Sequence, residues 1–329
     1  MINVIIPTYK HPWLIDSILK ESLNVYSGDL FVFEIHDSSP DNETEGIVKQ
    51  FIESFPDQRI NYYRYPVEMS VDDKVLGAIK NTTEEYFYLM GDGNLVDFNV
   101  LEQLLINNNY KQYGVIDVEH TDRKQFNGDL DFENYKIVTF QNATHFISKY
   151  FSHMTYWGAT IVDTTHFHEC WKQGRFDKYF KIKNPWWIAC CETEMIGMDK
   201  INGAVLYSDV IKGNPLKNDH SWTDDEKYYE YTFRRFNEAV GLLPDKYNDV
   251  KQKIISVFRK DSLVTYRYVL DRRINGVVNI KRTWKYRKDI MRIHGYFAFI
   301  FLASIIPTRI LKLIRSGKRL ICGKERNVS

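Results

Sequence analysis

Cysteine is scarce in this chain, with four residues, Cys170, Cys190, Cys191 and Cys322, among 329. They form neither a paired disulfide framework nor the CxxC spacing of a zinc site, so a disulfide-stapled scaffold and a zinc module are both excluded as accounts of the fold. A reduced, cytosolic setting is the expectation. No basic segment and no long apolar stretch follow Met1, and the chain runs directly into Val4, Ile5 and Ile6, which argues against export. No low-complexity stretch marks a disordered protein, and no apolar run reaches the ~20 residues of a spanning helix.

Apolar and aromatic residues are plentiful: hydrophobic content is 44% and aromatic content 15%, ample for a large core. The length exceeds one average domain and points to a catalytic domain with an appendage. Charge is unevenly spread. Residues 251–329 hold 20 Lys and Arg against 4 Asp and Glu, a net of +16, which leaves 24 basic and 39 acidic residues in 1–250, a net of −15. A segment so basic is expected to meet an anionic surface.

Through the first third, short apolar runs alternate with helical patterns. Ile2–Ile6, Leu30–Ile35, Ile60–Tyr65 and Tyr86–Met90 read as strands, while Trp13–Leu23, Glu45–Phe55 and Val71–Ile79 read as helices. That alternation predicts βαβ units around a parallel sheet, in which ligands bind beyond the carboxyl ends of the strands. The residues just past those ends are Pro7, Thr8, Tyr9 and Lys10, then Asp37 to Asp41, then Gly91, Asp92, Gly93 and Asn94. Asp37 and Asp92 would therefore stand at one sheet edge as a pair of carboxylates, or serve there as turn and cap residues. The middle of the chain is denser in aromatics, with His145, His153, the run Tyr156-Trp157-Gly158-Ala159, and Pro185-Trp186-Trp187. Flat rings there suit either a mixed core or a face that stacks on sugars.

At these residues the chain resembles glycosyltransferase family 2. The resemblance rests on the first strand ending in Ile5-Ile6-Pro7-Thr8-Tyr9, the turn Asp37-Ser38-Ser39-Pro40-Asp41-Asn42, the basic and amide residues Asp73-Lys74 and Asn81, and the strand Glu85–Met90 leading into Gly91-Asp92-Gly93-Asn94. It covers the first 95 residues, in the family's order. It implies an α/β fold of the GT-A type, a Rossmann-like, mixed but mostly parallel sheet flanked by helices, with a C-terminal helical basic extension. The expected domains are a catalytic domain over 1–250, with a nucleotide-binding half over about 1–112 and an acceptor half over about 113–250, and a basic amphipathic tail over 251–329.

Carried over to this chain, the resemblance implies that Pro7, Thr8 and Tyr9 line the base pocket and that Asp37 binds uracil or ribose. Asp73 and Lys74 would lie beside the nucleoside and diphosphate, and Asp92 would face the diphosphate through Mn²⁺ or Mg²⁺. The metal motif is reduced to one acid: Asn94 offers an uncharged carbonyl, and His220 could complete the sphere. The general base for the acceptor hydroxyl falls to Glu194 or Glu192, with Asp177 in reserve; each residue also suits ordinary helix-terminus electrostatics.

In the tail, Ile293–Thr308 is a sixteen-residue stretch without Lys, Arg, Asp or Glu. It is flanked by Lys281, Arg282, Lys285, Arg287, Lys288 and Arg292 on one side and Arg309, Lys312, Arg315, Lys318 and Arg319 on the other. This pattern predicts an interfacial segment on the inner face of the cell membrane rather than a spanning one, or else a helix packed on the catalytic domain. Nucleic acid is not expected, because the basic residues interleave with an apolar block. The function expected is inverting transfer of a hexose or N-acetylhexosamine from a UDP-sugar to a lipid-linked acceptor. Its rivals are a nucleotidyltransferase, disfavoured because no Gly-rich phosphate loop follows the first strand, and a catalytically inactive assembly partner of the same fold.

Overall fold

The computed structural model describes residues 1–120, 137–140, 142–198, 202–217, 225–260, 262–293 and 296–313. By backbone contacts the chain divides into two compact units, one of residues 1–183 and 187–218, the other of residues 184–186 and 219–329.

The first unit is built on Ile2–Thr8 (β1), Phe31–Asp37 (β2), Ile60–Arg64 (β3), Tyr86–Leu89 (β4), Asn94–Val96 (β5), Val115–His120 (β6), Ile137–Phe140 (β7), Thr160–Asp163 (β8), Gly203–Ser208 (β9) and Ile211–Gly213 (β10). Eight of these form one sheet in the order β3-β2-β1-β4-β8-β6-β9-β7, and β10 pairs with β5 in a small second sheet. The β1–β2, β2–β3, β1–β4 and β6–β9 pairs are parallel, whereas β8 runs antiparallel to both β4 and β6. Every residue of β1 is buried, as a strand covered on both faces must be. The helices are Pro12–Ile18 (α1), Glu43–Ser54 (α2), Val71–Asn81 (α3), Phe98–Asn107 (α4), Ala143–Tyr150 (α5), Thr164–Lys172 (α6), Asp177–Lys181 (α7) and Trp187–Ile196 (α8).

Local chemistry sets the helix starts. Pro12 occupies the first turn of α1, where a missing N–H costs nothing. Ser70 caps α3 by accepting from Asp73 N at 3.1 Å while its hydroxyl donates to Asp73 Oδ2 at 2.7 Å, a reciprocal cap that fixes where the helix begins. Asp97 and Asp163 cap α4 and α6 by accepting from Val100 N and His166 N. Lys10 takes a left-handed backbone, φ 58°, which turns the chain out of β1 and into α1.

The second unit is helical: Asp225–Tyr229 (α9), Phe236–Leu242 (α10), Asn248–Phe258 (α11), Tyr266–Ile274 (α12), Ile280–Lys285 (α13), Arg287–Arg292 (α14) and Tyr296–Ile305 (α15). Residues 225–242 belong to this body. Tyr229 and Thr283 hydroxyls meet at 2.8 Å, Tyr286 donates to Glu226 at 2.8 Å and Glu230 at 3.0 Å, and Asn237 donates to the Asp289 carbonyl at 3.0 Å. α15 packs on α12, α13 and α14. It buries Ile300, Ala303 and Ser304, and Arg273 clamps its carboxyl end through the Ile306 carbonyl at 3.0 and 3.1 Å. Leu302 and Ile305 remain exposed. Among the described residues no helix is long and apolar enough to cross a membrane.

Candidate active site

The parallel strands β1, β2 and β4 bring their carboxyl ends to one edge, and Thr8 is in register with Asp37 across β1 and β2. Three residues beyond the end of the β4–β1 ladder, Asp92 folds back over that edge. Thr8 Oγ1 donates to Asp92 Oδ2 at 3.2 Å, and His11 Nδ1 lies 2.8 Å from the same oxygen. Lys217 Nζ stands 3.8 Å from Asp92 Oδ1. Its stem fills the space over Gly93, where an added Cβ would meet Lys217 Cδ at 2.1 Å. Gly93 therefore lets the lysine lie across the loop. Thr8 and Asp92, both expected at the site, do come together; His11 and Lys217 are additions.

Beneath this edge lies Lys74, 1% exposed. Its ammonium donates to the Thr8 carbonyl at 2.7 Å and Ser38 Oγ at 2.9 Å, tying the end of β1 to the turn after β2. Burial pushes this amine down to about 8, with the Asp37 and Asp92 carboxylates acting in the opposite direction. Lys74 thus places its amine under the floor of this edge, held by groups of the protein.

Asp37 is fully buried and saturated by the protein. Its Oδ1 accepts from Ser39 N at 2.7 Å and Ser39 Oγ at 2.5 Å, and its Oδ2 accepts from the Tyr62 hydroxyl at 2.8 Å and Arg64 Nη1 at 3.1 Å. The turn role foreseen for it is present, since the Ser39 N–H contact is an Asx-turn. A base or ribose donor reaching Asp37 would have to displace one of these four. Pro7 is buried within β1, and Tyr9 is exposed beside it. Asp73 is committed to the α3 cap, and the acid next to it is the one turned inward: Asp72 accepts from Trp187 Nε1 at 3.0 Å, and burial raises its carboxyl. Asp72, His11, Tyr62 and Arg64 carried no motif signal, because each acquires its place only when distant strands meet.

The aromatic run after β7 reaches the same edge. Asn94 Nδ2 donates to the Trp157 carbonyl at 2.7 Å, and the Tyr88 hydroxyl donates to the Gly158 carbonyl at 2.8 Å. Gly158 has φ 105°, and a Cβ there would meet Asn94 Nδ2 at 2.8 Å, so the loop can close over Asn94 only with glycine at this position. With its amide nitrogen used, Asn94 has only its amide oxygen to offer a cation. Among the described residues no group of three or more His, Cys, Asp or Glu could hold a metal, and His220 lies outside those residues. One carboxylate flanked by His11 and Lys217 does not fit a cation caged by the protein. It does fit one that arrives on diphosphate oxygens and meets Asp92 on the way.

The acids considered for proton abstraction are dispersed. Glu192 and Glu194 stand in the second half of α8 rather than at its start, and they face different neighbours. Glu192 takes the Thr160 hydroxyl at 2.6 Å. Glu194 takes the Tyr179 hydroxyl at 2.9 Å and Lys178 Nζ at 2.5 Å. Asp177 is exposed at the first position of α7. A two-residue offset along a helix is about 200°, so these side chains could not converge.

The strand order, with β8 antiparallel between β4 and β6, and the acidic turn just past β4 define a GT-A glycosyltransferase fold. No family model matches the chain, and no curated protein matches it in sequence. Solved structures do match. The mannosyltransferase PcManGT from Pyrobaculum calidifontis, determined with GDP-Man and Mn²⁺, is similar with a TM-score of 0.52 and 13% identity, covering 95% of this chain and 86% of its own. S. aureus TarS is similar with a TM-score of 0.55 and 14% identity over 92% of this chain and 53% of that one, so the chain spans about half of TarS. TarS 1-349 gives a TM-score of 0.51 at 10% identity over 92% and 90% of the two chains. At these identities the likeness is one of fold.

Proposed function

We propose that this chain transfers a hexose or N-acetylhexosamine from a UDP-sugar, with inversion, to a membrane-associated acceptor. The observation that carries the reading is the convergence of Thr8, His11 and Lys217 on Asp92 at the carboxyl edge of β1 and β4, with buried Lys74 bonded to the Thr8 carbonyl beneath it. Such a cation-rich edge suits a diphosphate, with Lys217 and His11 at its surface and Lys74 adding field from below. Asp92 would meet a divalent cation carried by that diphosphate, and the ion would neutralise charge developing on the leaving group. Tyr9, exposed past β1, offers a flat face to the base. The mannosyltransferase neighbour, with its nucleotide-sugar and Mn²⁺, supports a donor of this general kind.

Calorimetric titration with UDP, with and without Mn²⁺, and with CDP, GDP and ADP as controls, tests the donor reading. Selective UDP binding strengthened by Mn²⁺ is expected. No binding of any nucleotide would overturn it, and UDP binding without any donor turnover would select a non-catalytic partner instead.

The membrane reading draws on the second unit. Trp284, Leu302, Ile305, Ile310 and Leu313 are exposed, with Lys281, Lys285, Lys288, Arg309 and Lys312 exposed around them. Apolar side chains among basic ones suit an anionic leaflet, to which each charge contributes about 1 kcal/mol. The protein is expected to sediment with vesicles containing phosphatidylglycerol and not with pure phosphatidylcholine. Leu302→Asp should weaken that binding about tenfold, since burying a leucine is worth roughly 1.5–3 kcal/mol. Equal sedimentation of both proteins would remove this surface from the docking site.

A further inference from the structure

The second unit holds a cavity that neither the donor site nor the exposed apolar surface uses. It measures about 480 Å³ and lies between α10, α11 and α14. That is within the size range of small-molecule sites. Its walls are tied to one another by the chain itself. Asn237 on α10 donates from its amide nitrogen to the Asp289 carbonyl of α14 at 3.0 Å and to the Phe233 carbonyl at 2.6 Å. Lys251 Nζ on α11 donates to the Gly241 carbonyl of α10 at 3.1 Å, and the rings of Phe236 and Phe258 stack between the same two helices. The cavity is therefore formed before anything enters it.

Two kinds of surface line it. Val240 and Ile255 are buried aliphatic side chains, and Met291 adds an exposed one. Lys251 and Arg292 supply positive charge. Lys251 spends one of its three N–H donors on Gly241, and Arg292, with 65% of its side chain exposed, lies 3.9 Å from Asp289 Oδ1. That carboxylate is shared with Arg234, whose Nε stands 3.4 Å from Oδ2. Both cations of the lining thus keep donors for a ligand, and no Asp or Glu stands among the lining residues.

The chemistry of the lining narrows the occupant. It contains no aromatic ring and so offers no face on which a base or a pyranose would stack. It offers an anion site next to aliphatic side chains, in a space far larger than a phosphate ion. An amphiphile satisfies both parts: charge-assisted hydrogen bonds hold its phosphate, and each methylene buried beyond it adds affinity. Steps of three and four residues on α14 put Lys288, Met291 and Arg292 on one face. The face that lines the cavity therefore continues to Lys288, a residue of the proposed membrane surface.

We infer that this cavity binds a phosphate-bearing lipid, with the phosphate between Lys251 and Arg292 and the first part of the apolar chain along Val240, Ile255 and Met291. This deepens the membrane reading and rests on it for the source of the ligand. The exposed surface brings the protein to the leaflet, and the cavity takes one molecule from it.

The test uses the full chain and a lipid short enough to stay in solution, dihexanoyl phosphatidic acid, titrated by calorimetry below its micelle concentration. Saturable binding is expected. Dihexanoyl phosphatidylcholine, whose phosphate carries a fixed cation, should bind at least about tenfold more weakly, and so should inorganic phosphate, which has no chain to bury. Arg292→Gln and Lys251→Gln should each weaken phosphatidic acid binding about tenfold, the size of one charge-assisted hydrogen bond. Met291→Ser should weaken it about three- to tenfold while leaving the affinity for inorganic phosphate within about twofold. Arg292 and Met291 are both exposed, so these two variants should keep the fold, which thermal melts check. No saturable binding by the wild type, or wild-type affinity in both Arg292→Gln and Lys251→Gln, overturns the site. Inorganic phosphate binding as tightly as phosphatidic acid makes it a free-anion site and overturns the lipid assignment. Sedimentation with phosphatidylglycerol vesicles is scored separately. Vesicle binding without phosphatidic acid binding sinks only the cavity, whereas the reverse sinks only the exposed surface.

Discussion

Asp92→Ala is expected to lower donor turnover by about 10²- to 10³-fold and to weaken UDP binding in Mn²⁺ about tenfold, effects of the size seen when a group stabilising developing charge is removed. The reason lies in what the carboxylate does at the edge of the sheet. Among the described residues it is the acid that orders Thr8 and His11 and balances Lys217. Without it Lys217 loses its counter-charge and Thr8 and His11 lose their shared partner, and in the proposed reading a diphosphate-borne cation would lose the carboxylate that meets it. Turnover and Mn²⁺-dependent binding should fall together, because both use the same oxygens. Measuring initial rates and calorimetric affinity on one preparation checks this. Wild-type values for both would remove Asp92 from the active site.

Lys74→Met is expected to separate binding from stability. In the native protein this amine titrates near 8, well below its ordinary value of 10.5, because it is buried. Between those two values the unfolded chain binds more protons than the folded one, so stability rises with pH across that window. Below about pH 8 the charge costs roughly 3 kcal/mol. Methionine removes that cost but strands the Thr8 carbonyl and the Ser38 hydroxyl, at about 1–3 kcal/mol. The net change at neutral pH should therefore be small, within about 2 kcal/mol. The rise in stability from pH 8 to 10 should flatten, while UDP affinity falls about tenfold through loss of a buried positive charge. Denaturant melts at several pH values, compared with UDP titrations, test this. An unchanged slope would show that Lys74 is not the group titrating there.

Much of the stretch from β1 to β4 was legible before the structure. The strands expected over Ile2–Ile6, Leu30–Ile35, Ile60–Tyr65 and Tyr86–Met90 correspond to β1 to β4 within two residues at each end. Continuous apolar runs between helical periods have few other solutions. The rule that ligands gather at strand carboxyl ends singled out Thr8, Asp37 and Asp92, but the bond between Thr8 and Asp92 was not foreseen. Less visible was the difference between neighbours: Asp73 is spent on a helix cap while Asp72 turns inward, and a single helical step decides which.

The stretch from β6 to α8 was harder to read for a different reason. Its groups come from β6, β8, α8 and the turn at His153, joined by pairings such as Asp117 with Thr160 that are far apart in sequence. Composition placed His153 in an aromatic region without distinguishing it from His145, because a histidine's role depends on the carboxylate that faces it.

The sequence by itself determined the βα alternation, the polar turns after the strands and the change of charge sign near residue 250, because periodicity and composition are local properties. Only the tertiary structure decided that β8 reverses direction between β4 and β6, and that Lys74 lies under the floor. It also decided that residues 225–242 pack with the basic helices, and that Glu192 and Asp117 are buried together. Burial and carboxylate pairing are set by which distant segments come into contact, and those contacts fix which acid can hold charge and which cannot.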